Sequence, residues 1–266
     1  MLRMSNTQLQ AALQCRQKWK FLFDGQYMAS TFPMARGTIL HRGRQMNLTQ
    51  KVQTKTDLPF EAILDYTLSQ IKELEFVPDR DGLNMERVVA VGVEKDYHVF
   101  QRKSKPLLVE TKIVVEPAGY GFSLSGILDL LNTDEQVIND EVKQLQYVDD
   151  LKTVSRRKSP FFTHRSRQLS IYWMLANYAG YQPAGARHLF LEFSKYNATA
   201  NVVETKRTEE DLQTTLNEIQ TVVEGIERGD ITGAPDDSWF CPCQFAPICP
   251  YVTKHAKQFA IGGSDE

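Results

Sequence analysis

Two short stretches place acids where apolar residues would be expected. "SGILDLL" sets Asp129 in an apolar surround, and "YVDDLKT" sets Asp150 and Lys152 two residues apart. Alternate residues of a strand share a face, so Asp150 and Lys152 point the same way. Two carboxylates converging from neighbouring strands make a hard, oxygen-rich site suited to Mg²⁺ or Mn²⁺. A lysine beside them can touch a phosphate oxygen or help orient and deprotonate a water, which together suits metal-assisted phosphodiester hydrolysis. The plain alternative is a surface ion pair, since acid-x-Lys triplets are common. "NDEVKQ" offers a competing triplet, Glu141 to Lys143, nearer to Asp129. Tyr147 and Val148 lead into Asp150 with β-forming residues, whereas Asn139 and Asp140 precede Glu141. Asp150 and Lys152 are therefore preferred, at the cost of an extended hairpin back to Asp129.

From Leu151 through Leu191 the chain has no Asp or Glu, while it carries Lys152, Arg156, Arg157, Lys158, Arg165, Arg167 and Arg187. Such a run suits a phosphate backbone, though a solvated basic loop reads the same way. The net charge of −2 gives no global sign of a polyanionic partner, so any basic surface is local. Gly37 and His41 in "GTILH", and Gln168 and Tyr172 in "QLSIY", are spaced four apart, which stacks each pair on one helical face. A histidine can ligate a metal or bind a phosphate, and a lone one on a helix is also commonly structural. Gln168 and Tyr172 could equally be polar groups bonded to backbone.

The four cysteines are Cys15, near the start, and Cys241, Cys243 and Cys249 in "CPCQFAPICPYV". "MLRMSNTQLQ" has no apolar h-region, and the most apolar stretch, "LSIYWMLANYAGY", is too short and too polar to span a bilayer. The expected location is intracellular and cytoplasmic, where clustered cysteines serve more often as metal ligands than as disulfides. Four thiolates are the ligand set of a [4Fe–4S] cluster or of a structural Zn²⁺, and spacing does not separate the two. Buried thiols without a metal are the remaining alternative.

These residues need elements to hold them. Helices are expected over 5–23, from near Gly37, over "PFEAILDYTLSQIKEL", over "SRQLSIYWMLANYAGY" and after Thr208. Strands are expected at "PLLVETKIVVEP", "YGFSLSGILDLL", "EQVINDEV", "LQYVDDLKT", "ARHLFLEFSKY" and "ATANVVETKR". The order predicts an α/β fold, a central mixed sheet flanked by helices in one domain over 1–252. Its parts are a helical segment at 5–90, a core at 105–206 and a helix with the cysteine segment at 208–252. Residues 253–266 read as a flexible tail.

Taken together, the motifs resemble the RecB-like branch of the PD-(D/E)XK nuclease superfamily: G-x-x-x-H at Gly37 to His41, the aspartate of G-x-x-D at Asp129, D-x-K-T at Asp150 to Thr153, and Q-x-x-x-Y at Gln168 to Tyr172. The resemblance implies a restriction-endonuclease-like core and an Mg²⁺- or Mn²⁺-dependent deoxyribonuclease acting on single strands or DNA ends. His41, Asp129, Asp150 and the backbone carbonyl of Leu151 would ligate the metal. Lys152 would position or activate the attacking water, Gln168 and Tyr172 would support the site or contact DNA, and Arg156, Arg157, Lys158, Arg165 and Arg167 would bind the backbone. Some members carry a [4Fe–4S] cluster on one cysteine before the motifs and three after, among them AddB-type subunits and CRISPR-associated nucleases. The match implies a clasp of Cys15, Cys241, Cys243 and Cys249 joining the two ends of the chain. The usual C-x-x-C-x5-C is here one residue shorter, C-x-C-x5-C. With no G-x-x-x-x-G-K-[ST] motor motif, any helicase activity would come from a recombination or CRISPR partner. The alternatives are a catalytically inactive subunit that binds DNA or assembles complexes, and a zinc-stapled protein with no nucleic-acid role.

Overall fold

The computed structural model describes residues 1–26, 29–234, 241 and 243–252. The expected tail, 253–266, lies outside them. In chain order the elements are β1 (Leu2–Ser5), α1 (Asn6–Gln14), α2 (Arg16–Phe23), β2 (Ser30–Thr31), α3 (Phe32–Thr54), α4 (Phe60–Ser69), β3 (Phe76–Val77), α5 (Met85–Val99), β4 (Pro106–Val115), β5 (Phe122–Ile138), β6 (Glu141–Val154), α6 (Pro160–His164), α7 (Arg167–Tyr178), β7 (Pro183–Ser194), β8 (Asn197–Thr205) and α8 (Glu209–Glu227). They fall into two compact units. The first comprises 1–28, 116–125 and 213–266, and the second 29–115 and 126–212.

The second unit holds the mixed sheet expected from the sequence. β5 and β6 are antiparallel, β6 and β7 parallel, β7 and β8 antiparallel, and β4 also pairs with β5. The expected strand "YGFSLSGILDLL" continues into the first half of "EQVINDEV" as one long strand, and the rest of "EQVINDEV" is a turn and the start of β6. Asn139 (φ 54) and Asp140 (φ 62) both adopt the left-handed conformation that a tight hairpin with matched twist requires. The nine pairs from Ile138↔Glu141 to Leu130↔Asp149 make the extended hairpin that the spacing demanded. Helices cover both faces of the sheet. Ile39 and Leu40 of α3 and Val88, Val89 and Val93 of α5 pack with Leu151, Leu189, Leu191 and Phe193 on one face. On the other lie α6 and α7, the latter capped by Ser166, whose Oγ accepts from Leu169 N at 3.3 Å. α3 begins at Phe32, earlier than the Gly37 expected, because Pro33 occupies the first turn, where a missing N–H leaves no helical bond unmade. Thr208 caps α8 as expected: its Oγ1 accepts from Asp211 N at 3.2 Å, and Asp211 Oδ2 accepts from Thr208 N at 2.8 Å.

In the first unit, β1 pairs in parallel with Phe122–Ser125 at the start of β5. The single helix expected over 5–23 is broken at Cys15. That residue is extended (φ −166, ψ 117), and its Sγ accepts from Lys18 N, so it caps α2. Phe21 and Phe245 meet with ring centroids 5.2 Å apart.

Candidate active site

Strand alternation separates the two acids of "YVDD". Asp149 is buried against Arg187, with Nε–Oδ1 2.6 Å and Nη2–Oδ2 2.7 Å, and Arg187 also pairs with Asp134 and lies over the Tyr147 ring. That bidentate pairing neutralises Asp149 and removes Arg187 from the basic run. Asp150 faces the opposite way, with Lys152. Lys152 Nζ lies 2.7 Å from Asp150 Oδ2 and donates to Oδ1 at 3.0 Å. Gln168 locks this pair: its Oε1 accepts from Lys152 at 2.8 Å, and its Nε2 donates to Asp150 Oδ1 and to the Tyr172 hydroxyl, each at 2.9 Å.

Asp129 stands just beyond the last β5–β6 pair, where the strands part. Its Oδ2 accepts the Leu151 N–H at 3.2 Å. His41 reaches in from α3, with Nε2 3.0 Å from the Leu151 carbonyl and Nδ1 3.4 Å from Asp129 Oδ2. Gly37, one turn earlier, allows this approach: a Cβ there would come within 3.2 Å of Thr153 Oγ1. Gly126 does the same for α7, since a Cβ would meet Leu175 at 2.6 Å and Tyr172 at 3.3 Å. The structure thus brings together His41, Asp129, Asp150, the Leu151 carbonyl, Lys152, Gln168 and Tyr172. Glu141 and Lys143 sit 3.7 Å apart near the exposed tip of the hairpin, roughly 30 Å along the strand from Asp150.

Two residues escaped the sequence. Glu110 of β4 puts Oε1 3.5 Å from His41 Nδ1. Among the described residues, His41, Glu110 and Asp129 are the only three metal-ligating side chains with ligand atoms all within 4.8 Å of one another. His188 of β7 is fully buried, with Nε2 3.4 Å from Asp150 Oδ2 and Nδ1 3.0 Å from the Thr163 hydroxyl.

The electrostatics reflect crowded carboxylates. Burial, and next the charge of Asp150, push Asp129 up to about 7. Burial opposes a charged His41, but Asp129, Glu110 and Asp150 outweigh it and push the imidazole up to about 9. Burial pushes His188 down to about 4 against the pull of Asp150, so it is neutral at pH 7. Tyr172 is pushed up, first by burial and then by Asp129, and remains a neutral phenol.

Arg156, Arg157 and Lys158 lie on an exposed loop after β6, and Arg165 and Arg167 are exposed around the start of α7. Arg157 Nε is 3.9 Å from Glu192. In the first unit, Cys15, Cys241, Cys243 and Cys249 line one pocket with Phe21 and Tyr251, and none is in a disulfide. No three of their sulfurs approach within 4.8 Å of one another, so they do not close on a single ion. Among the described residues no helix is long and apolar enough to cross a membrane.

A solved structure named "Putative exonuclease", from Eubacterium rectale, is 10% identical over 90% of this chain and 86% of its own, with a TM-score of 0.58, and shares the fold. A second, of SSO0001, is 14% identical over 94% and 87%, with a TM-score of 0.38, too low to carry an argument. No curated protein matches. The model of the PD-(D/E)XK nuclease superfamily matches residues 3–250, a span that contains every residue of the site. The chain belongs to the PD-(D/E)XK nuclease superfamily.

Proposed function

We propose that the chain is a metal-dependent DNA nuclease of the RecB-like branch, hydrolysing phosphodiester bonds of single strands or DNA ends as an exonuclease. The observation that carries this reading is the junction of two networks where β5 and β6 part: Lys152 held by Asp150 and Gln168, beside His41, Asp129 and Glu110. The donor set fits a hard divalent cation. It offers carboxylates, a carbonyl and one imidazole; burial and the neighbouring carboxylates raise Asp129, and the same carboxylates raise His41 against burial, so a cation would relieve crowded negative charge. His41, Asp129, Asp150 and the Leu151 carbonyl would hold Mg²⁺ or Mn²⁺, with Glu110 as a further carboxylate. The bound ion supplies charge that polarises a phosphoryl oxygen and eases ionisation of a water.

The chain's own groups do the rest. Lys152, pinned by two acceptors, aims its ammonium at the water and at charge developing on the phosphate. Gln168 fixes the orientations of Asp150 and Lys152 together, and Tyr172 leaves its hydroxyl proton available to a substrate oxygen. Arg156, Arg157, Lys158, Arg165 and Arg167 would neutralise the backbone on either side. For the four cysteines we infer a [4Fe–4S] cluster. They share one pocket, and Cys15 Sγ accepts from both Lys18 N (3.4 Å) and Ala234 N (3.3 Å). No three of their sulfurs lie within 4.8 Å of one another, whereas a tetrahedral zinc at about 2.3 Å from each would set them roughly 3.8 Å apart.

The test uses end-labelled single- and double-stranded DNA with Mg²⁺ or Mn²⁺. Asp150→Asn and Lys152→Ala should each lower cleavage about 100-fold or more, while Glu141→Gln cleaves like the wild type. Loss in the Glu141 variant alone would transfer the motif to Glu141 and Lys143. A wild type with no metal-dependent cleavage would leave a DNA-binding or assembly subunit.

A further inference from the structure

α6 turns two phenylalanines to solvent. Phe161 is 61% exposed and Phe162 45%. Each has a cation of its own segment over a face: the Arg165 guanidinium carbon lies 5.1 Å from the Phe161 centroid, and Lys158 Nζ lies 5.7 Å from that of Phe162. The same short helix is anchored to the site. Thr163 is buried and its hydroxyl meets His188, the Phe162 ring lies 5.4 Å from the His188 ring, and His188 contacts Asp150. Phe162 therefore stands one side chain away from a carboxylate of the site, with Phe161 next to it in the chain. In chain order the pair follows the strand that carries Asp150 and Lys152 and precedes the helix that carries Gln168.

A polynucleotide offers phosphates and base faces to a protein, but only an unpaired base leaves its faces open. Cations alone would bind duplex and single strand through phosphate. Exposed aromatic rings interleaved with cations match the second feature as well as the first. A purely apolar protein partner would find charges on both sides of the rings. We propose that Phe161 and Phe162 form a stacking platform for the unpaired bases of a strand whose phosphate lies at Asp150 and Lys152, with Lys158 and Arg165 neutralising flanking phosphates. This rests on the nuclease reading and names its substrate as a single strand or a frayed end.

The experiment measures binding of a fluorescein-labelled single-stranded oligonucleotide by anisotropy, in EDTA, so that binding is read without cleavage. Phe161 carries the test because Phe162 also packs on His188. Phe161→Ala should weaken binding about tenfold with an unchanged salt slope, and Phe161→Trp should restore it. Arg165→Ala should make the salt dependence shallower. Melting curves check that each variant folds. Wild-type affinity in Phe161→Ala, or an equal loss on closed circular duplex, overturns the platform. Metal-dependent cleavage assayed in parallel keeps the two readings apart. A wild type that cleaves while Phe161→Ala binds normally defeats only the platform. A wild type that binds through Phe161 and never cleaves defeats only the nuclease.

Discussion

Glu110 adopts φ 44 in the middle of β4, a left-handed conformation that costs a non-glycine residue about 1 kcal/mol or more. The side chain so aimed adds negative charge beside Asp129, where burial already disfavours it. Both costs fall on the metal-free chain, and a cation would recover them. Glu110→Gly should therefore raise the melting temperature of the metal-free protein by a few degrees while weakening Mn²⁺ binding about tenfold or more. Calorimetric titration and thermal melts in EDTA check both halves, and tighter Mn²⁺ binding would contradict the role. Asp129, Asp150 and Lys152 were legible because each is a charge in an apolar strand context. Glu110, in "VETK", was not, because alternating strands routinely carry an outward acid and φ has no signature in residue type. His188, in "ARHLFLEF", advertised only burial. Its contacts with Asp150 and Thr163 come from the β6–β7 register, which pairs Asp150 with His188.

Among the elements, the α3–β6 approach sets the position of His41 against Leu151 through one pair of residues, Gly37 and Thr153. Gly37→Ala should push its new methyl against Thr153 Oγ1 and move His41 by a few tenths of an ångström from the Leu151 carbonyl. Mn²⁺ affinity should fall about three- to tenfold with little change in stability. Thr153→Ala in the same chain should restore it, and a double variant no better than Gly37→Ala would refute the contact. α8 was readable because a cap is a local signal, and the length of the hairpin followed from the separation of Asp129 and Asp150; its turn was not, because "EQVINDEV" reads as one strand across Asn139 and Asp140. The break at Cys15 was not: the stripe of Leu9, Ala12, Leu13 and Trp19 runs through it with no glycine or proline. α6 is too short for periodicity, and the Val-rich start of α5 with Gly92 dilutes its helical signal.

At the scale of the whole molecule, the segments of the two units alternate along the sequence. The second unit carries every candidate catalytic side chain. The first gathers three separated segments, with all four cysteines in the outer two. If those cysteines hold a cluster, protein purified without air should contain iron and sulfide and absorb broadly in the visible. Cys15→Ser and Cys249→Ser should each abolish the colour. A colourless chain with one zinc would show that the shortened C-x-C spacing selects a different metal. A composition-level reading could see one α/β fold, but not this partition, because segment membership depends on contacts between residues far apart in sequence.

That alternation also has a consequence for biosynthesis. All residues of the second unit have been made once Leu212 is joined, whereas the first awaits its third segment. At roughly 5–20 residues per second, the interval before Cys249 emerges lasts seconds. During it the ribosome-bound chain can assemble His41, Asp129, Asp150 and Lys152 while Cys15 has none of its later counterparts. The order of translation thus completes the segments of the second unit before those of the first.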